Sequence, residues 1–204
     1  MSFSVVPDKS VGDIFTEVMW DTYIKDNMNK GVMRPIGDTT LGFSAASITF
    51  SSITTDWAHL WLVFYGRGDS IAPTQAVTMR FNSDSGANYD HTDFNSNNTG
   101  AFTPGSREQF AQTSFWVGLM PAGTASANLF GGPVVFIPNY ANTANNKCMV
   151  GHSAQKTAAT TGLVMMDTFG GQWRSNAAIT TVTLLPGANN FVTGTRATLY
   201  GLGF

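Results

Sequence analysis

The sequence predicts an all-β fold, an antiparallel β-sandwich of jelly-roll type with a short N-terminal helical arm. Three observations predict it. After Pro35 the apolar residues gather into short runs of strand length, parted by clusters of Gly, Asn, Ser and Pro. Nine such runs recur at a spacing that fits an antiparallel sandwich or jelly roll. Helical spacing of apolar residues occurs clearly in one place only, ahead of Pro35.

That place is "GDIFTEVMWDTYIKDNMNKG". Asp13 or Thr16 suits the N-cap, Glu17 the first turn, and Lys30 with Gly31 the end, which predicts a helix from Thr16 to Lys30. Trp20, Tyr23, Ile24 and Met28 then share one face, too large and aromatic to stay wet. The face docks either on its own domain or on another subunit. Residues 1–36 form the arm on this reading, and residues 37–204 the sandwich.

The candidate strands follow in order: "SITFSSI", "WAHLWLVFYG", "TQAVTMRF", "TSFWVGLM", "NLFGGPVVFIP", "CMVGH", "GLVMMDTF", "AAITTVTLL" and "RATLYGLGF". In the second run, Trp57, His59, Trp61, Val63 and Tyr65 fall on one face and Ala58, Leu60, Leu62 and Phe64 on the other. Both faces are apolar, which predicts a central strand covered on both sides. Trp173, between Gly170-Gly171 and the "AAITTVTLL" run, is expected to plug one end of the core. No repeat of fixed period and no long linker divides the chain further.

A net charge of −2 argues against a nucleic-acid partner, which calls for a sustained positive field. No apolar run reaches the ~20 residues of a spanning helix, and "MSFSVVPDKSVGD" lacks the basic and apolar regions of a signal peptide. A soluble chain without membrane insertion is the expectation. Cys148 is the only cysteine, which excludes an internal disulfide, and it reads as an inert buried thiol. His59, His91 and His152 are expected in a core strand, a polar loop and a strand end. No nucleophile elbow, phosphate loop or metal-ligand spacing is present, so no catalytic residue, cofactor or metal is predicted. "GRGDS", at 66–70, contains the integrin-binding tripeptide, but directly after an apolar run it reads as turn chemistry.

"FNSDSGANYD" is the most suggestive loop, with Asn82, Asp84, Asn88 and Asp90 placed around Gly86. An EF-hand loop wants glycine at position 6 and glutamate at 12, whereas counting from Asn82 puts glycine at 5 and Asp93 at 12. A self-bonded turn, with Gly86 at positive φ, is the simpler expectation, and its functional use would be surface contact through Asp84, Asn88, Tyr89 and Asp90. A looser calcium site or a sugar contact are the alternatives.

Three stretches together resemble structural proteins of tailed bacteriophages. "VGDIFTEVMWDTYIKDNMNKG" is similar to a "G…T…N.YI.DN" opening, with Asp21 or Thr22 where Asn is usual. "WAHLWLVFYGRGD" followed by "VTMRFNSDSGANYD" resembles "HL.L…R.D" preceding "L.FN.D.G.NY". "GGQWRSNAAITTVTLLPGANNFVTGTRATLYGLGF" resembles a closing "W…AI..I.L….F..GS…LYG", with Thr195 for Ser. Residues 92–165 carry little of the likeness. The resemblance implies a non-enzymatic virion protein made in the host cytoplasm. It would be displayed as a symmetric oligomer, expected to be a homotrimer, on a tail fibre, tail tip or capsid, where it meets other virion proteins. The competing reading is a carbohydrate-binding jelly-roll module that attaches to host glycans.

Overall fold

The computed structural model describes residues 16–20, 33–98, 102–162 and 164–203. After a helical turn α1 (Glu17–Met19), the chain forms β1 (Met33–Thr40), β2 (Ile48–Phe50), β3 (His59–Tyr65), β4 (Thr74–Phe81), β5 (Tyr89–Asn98) and β6 (Phe102–Gln112). β7 (Phe115–Pro121), β8 (Gly132–Pro138), β9 (Lys147–Lys156), β10 (Val164–Trp173), β11 (Val182–Pro186) and β12 (Arg196–Leu202) complete it. They make two antiparallel sheets of unequal width, an eight-stranded sheet ordered β1-β12-β3-β8-β9-β10-β5-β6 and a four-stranded sheet ordered β2-β11-β4-β7. The fold is a β-sandwich.

Thr16 caps α1 as its position predicts: its Oγ1 accepts from the Met19 N–H at 3.3 Å and its carbonyl accepts from the Trp20 N–H at 3.0 Å. Trp20 is exposed. Tyr23, Ile24 and Met28 lie outside the described residues. The sandwich begins at Met33, paired with Leu202, so its first strand crosses the boundary expected at residue 36.

The strand pleat sorts the core. Leu60, Leu62 and Phe64 of β3, Val77, Met79 and Phe81 of β4, and Val182 and Leu184 of β11 meet between the sheets with almost no exposure. One end is closed by an aromatic cluster. Phe115 meets Phe81 and Tyr89 edge-on at 5.5 and 4.9 Å, and Trp173 lies 5.7 Å from Phe81, which seats Trp173 in the core as its sequence context predicts. Gly118 at φ 110 lets β7 press close, since a Cβ there would fall 2.3 Å from Ser153 Oγ.

Three strands escape the sequence pattern. β1 and the β5–β6 hairpin are polar and carry no period-2 apolar signal, yet both outer strands of the eight-stranded sheet are made of them. Pro35 in β1 and Pro104 in β6 fit edge positions, where a missing N–H costs no ladder bond.

Candidate functional site

The eight-stranded sheet has two faces, and only one is covered by the four-stranded sheet. The prediction that β3 is covered on both sides is therefore corrected: Leu60, Leu62 and Phe64 are buried, but Trp61 and Tyr65 stand at 37% and 56% exposure. The cause is that the described residues form two layers only: the four-stranded sheet lies on the Leu60 face of the eight-stranded sheet, and no third layer covers the Trp61 face.

Register aligns the outward side chains into rows. One runs Tyr200, Trp61, Phe136, Val150, Gly170, Thr92, Glu108 across β12, β3, β8, β9, β10, β5 and β6. The next runs Thr198, Val63, Val134, His152, Thr168, Phe94. The β12–β9 half is aromatic and aliphatic: Trp61 and Phe136 rings lie 6.0 Å apart, and Tyr65 stacks on Phe130 at 5.5 Å. The β10–β6 half is mixed, with Phe94 and Phe110 exposed among hydroxyl, amide and carboxylate groups.

The loop singled out from sequence is a self-bonded turn. Asp84 Oδ1 accepts from the Gly86 N–H at 2.8 Å, and Oδ2 accepts from Asn88 Nδ2 at 2.9 Å and Trp173 Nε1 at 2.7 Å. Partial burial pushes the Asp84 carboxyl up, but these three donors outweigh it and hold the group below its ordinary value. Positive φ falls on Asn82 (50°) and Ser83 (57°), not on Gly86, which corrects the expected geometry. Asn82 Oδ1 in turn accepts from the Thr180 N–H at 2.8 Å, tying the turn to the start of β11.

Tyr89 is corrected outright as a surface contact. It is fully buried, its hydroxyl accepts from the Phe81 N–H at 3.1 Å and donates to the Asp84 carbonyl at 3.0 Å, and burial pushes its pKa up to about 12. Asp90 lies on β5, where Oδ1 accepts from the Ala111 N–H at 2.8 Å and Oδ2 sits 3.4 Å from Arg174 Nε. Of the predicted surface residues, Asp84 and Asn88 therefore build the turn, Tyr89 builds the core, and Asp90 faces the outer sheet surface.

The other polar motifs are structural. Arg67 donates to the Ser126 and Ala125 carbonyls at 2.6 and 2.8 Å, and Asp69 Oδ1 accepts from the Asn190 N–H at 2.8 Å, so the "RGD" side chains fasten neighbouring loops. His91, expected in a loop, is buried on β5, and burial pushes its pKa down. Cys148, expected to be buried, is exposed on the outer face of β9 with His152, and four residues along a strand separate the two by ~13 Å.

Between the sheets lie two carboxylates that sequence inspection did not single out as buried. Asp93 pairs with Arg107 Nε at 3.0 Å, whose guanidinium covers the Trp116 ring at 4.5 Å. Asp167 accepts from Ser153 Oγ at 2.5 Å, and burial first, then the nearby Asp93 charge, push its pKa up. Both are fully buried, away from any substrate in solvent. Among the described residues no group of three His, Cys, Asp or Glu is gathered for a metal ion, and no helix is long and apolar enough to cross a membrane.

No protein-family model matches the chain, and no curated protein or solved structure matches it either.

Proposed function

We propose that this protein is a non-enzymatic structural component of a tailed-bacteriophage particle, displayed as a homotrimer on a tail fibre, tail tip or capsid surface. The observation that carries the reading is the uncovered aromatic half of the eight-stranded sheet. A contiguous apolar patch of this kind marks an interaction surface, and its rows of Tyr200, Trp61, Phe136, Val150 and Val63, Val134 contain no charged side chain. A second copy of the chain meets such a face without like-charge repulsion, and the aromatic content is typical of the buried centre of an interface.

The polar residues support the same reading. Asp84, Asp93, Asp167, Arg67 and Asp69 serve turns, loops and pairing between neighbouring strands rather than a cleft. The resemblance of the arm, of the β3–β5 segment and of the C-terminal segment to phage structural proteins supplies the particle, and the exposed Trp20 beside the Thr16 cap suits an arm that docks on a neighbour. The test is to image particles assembled with this chain carrying a tag. Regular label density at symmetric positions on the particle is the expected outcome, and particles without label, with the chain left free, contradict the reading.

A further inference from the structure

The β10–β6 half of the outer face contains a trough of about 440 Å3, in the range of small-molecule sites. It is lined by Asp90, Thr92, Glu108, Phe110, Gly170 and Gln172, with Gly171 and the buried His91 beneath them. Its floor is Gly170, which sits in the row between Val150 and Thr92. Glycine in a strand interior weakens it, and it often marks close approach of another backbone or a ligand. Here the fold gives no steric reason for it. A Cβ at Gly170 would meet only the Met149 carbonyl at 3.4 Å and Val150 Cγ1 at 3.8 Å, both ordinary contacts. Its neighbour differs: a Cβ at Gly171 would lie 2.5 Å from the Asp90 carbonyl oxygen, so Gly171 is required by packing.

The walls define the ligand chemistry. Phe110 is 68% exposed and offers one apolar ring. Around it stand acceptors: the Glu108 carboxylate, the Asp90 carboxylate fixed by Ala111 and Arg174, and Thr92, whose hydroxyl donates to the Arg107 carbonyl at 2.9 Å and so is left with acceptor capacity only. Gln172 adds an amide that both donates and accepts. An apolar plate beside several acceptors suits a molecule with one C–H face and a rim of hydroxyl donors. Two carboxylates, with no lysine or arginine among the lining groups and with burial pushing the His91 pKa down, oppose an anion, although Arg174 offsets part of the Asp90 charge.

We propose that this trough binds a neutral saccharide, its ring lying on Phe110 over Gly170 and its hydroxyls donating to Asp90 and Glu108. The site goes beyond the assembly reading and leaves the aromatic β12–β9 half free for a second copy. The experiment is saturation-transfer NMR on the full chain with glucose, galactose, mannose, N-acetylglucosamine and lactose at millimolar concentration, beside the anionic sugar N-acetylneuraminic acid. Transfer to one ring face of at least one neutral sugar is expected, with a loss of about tenfold or more in affinity in both Phe110→Ala and Gly170→Val. Glu108→Gln, an exposed isosteric change, weakens binding even if Gly170→Val proves unstable. Transfer from none of the neutral sugars, preference for the anionic one, or binding that survives Phe110→Ala or Glu108→Gln overturns the proposal. Oligomeric mass and particle incorporation of Phe110→Ala and Glu108→Gln stay as in the wild type, so failure of sugar binding is told apart from failure of assembly.

Discussion

The two faces of β3 differ in what finishes them. Leu60, Leu62 and Phe64 point into a core closed by β4, β7 and β11, while Trp61, Val63 and Tyr65 carry similar apolar bulk with no layer above them among the described residues. A pleated strand presents alternate residues to opposite faces, so one set of β3 side chains fills the core while the other stands on the outer surface. Removing a side chain should therefore cost stability on the inner face and association on the outer one.

The largest effect is expected at the inner end of the comparison. Trp173→Ala removes a buried ring touching Phe81 and frees the Asp84 carboxylate, and should cost about 3–5 kcal/mol in denaturant unfolding. A loss as small as that of a surface residue would take Trp173 out of the core. Asp84→Ala comes next, at about 1–3 kcal/mol, because the buried Trp173 indole N–H and the Gly86 N–H lose their acceptor. Calcium and chelator should both leave the melting temperature unchanged, since both Asp84 oxygens are already engaged; a drop of several degrees with chelator would make the loop a metal site.

The carboxyls of Asp84 and Asp167 should respond to pH with opposite signs. The Asp84 pKa is lowered in the folded chain, so its contribution is present above the ordinary value of 3.8 and is lost as pH falls through the folded value. The Asp167 pKa is raised from 3.8 by burial, so the folded state holds that proton more tightly, and stability declines as pH rises from about 3.8 through the folded value. Asp167→Asn keeps an acceptor for Ser153 and should therefore gain on the wild type from acid toward neutral pH. Parallel stability profiles for the two proteins would refute this assignment. The smallest stability effect is expected on the outer face, where Trp61→Ser should change unfolding of the isolated subunit by less than about 1 kcal/mol.

Much of this contrast was legible in the sequence, because β3, β4 and β8 carry uninterrupted apolar patterns and Trp173 follows a glycine pair at a strand end. What alternation could not reveal is which face would be covered; that depends on the side on which the four-stranded sheet packs. β5 and β6 were illegible for another reason. Their inward positions hold His91, Asp93 and Arg107 in place of apolar residues, and the buried Asp93 carboxylate is compensated by its pair with the half-exposed Arg107, so no periodic apolar signal exists to be read. The turn at Asp84 was readable as chemistry but not as geometry, since the left-handed backbone falls on Asn82 and Ser83 while Gly86 does without it. Tyr89, placed in a polar stretch, gave no sign that its neighbours Phe81, Phe115 and Trp173 would enclose it.

The central claim is that the outer aromatic face is an association surface. The most direct measurement is the mass in solution, by light scattering across micromolar concentrations, of the wild type beside Trp61→Arg, with circular dichroism to verify that both are folded. A folded trimeric wild type and a folded monomeric Trp61→Arg protein are predicted. A wild type that stays monomeric throughout, or a Trp61→Arg protein that retains the wild-type mass, contradicts the account.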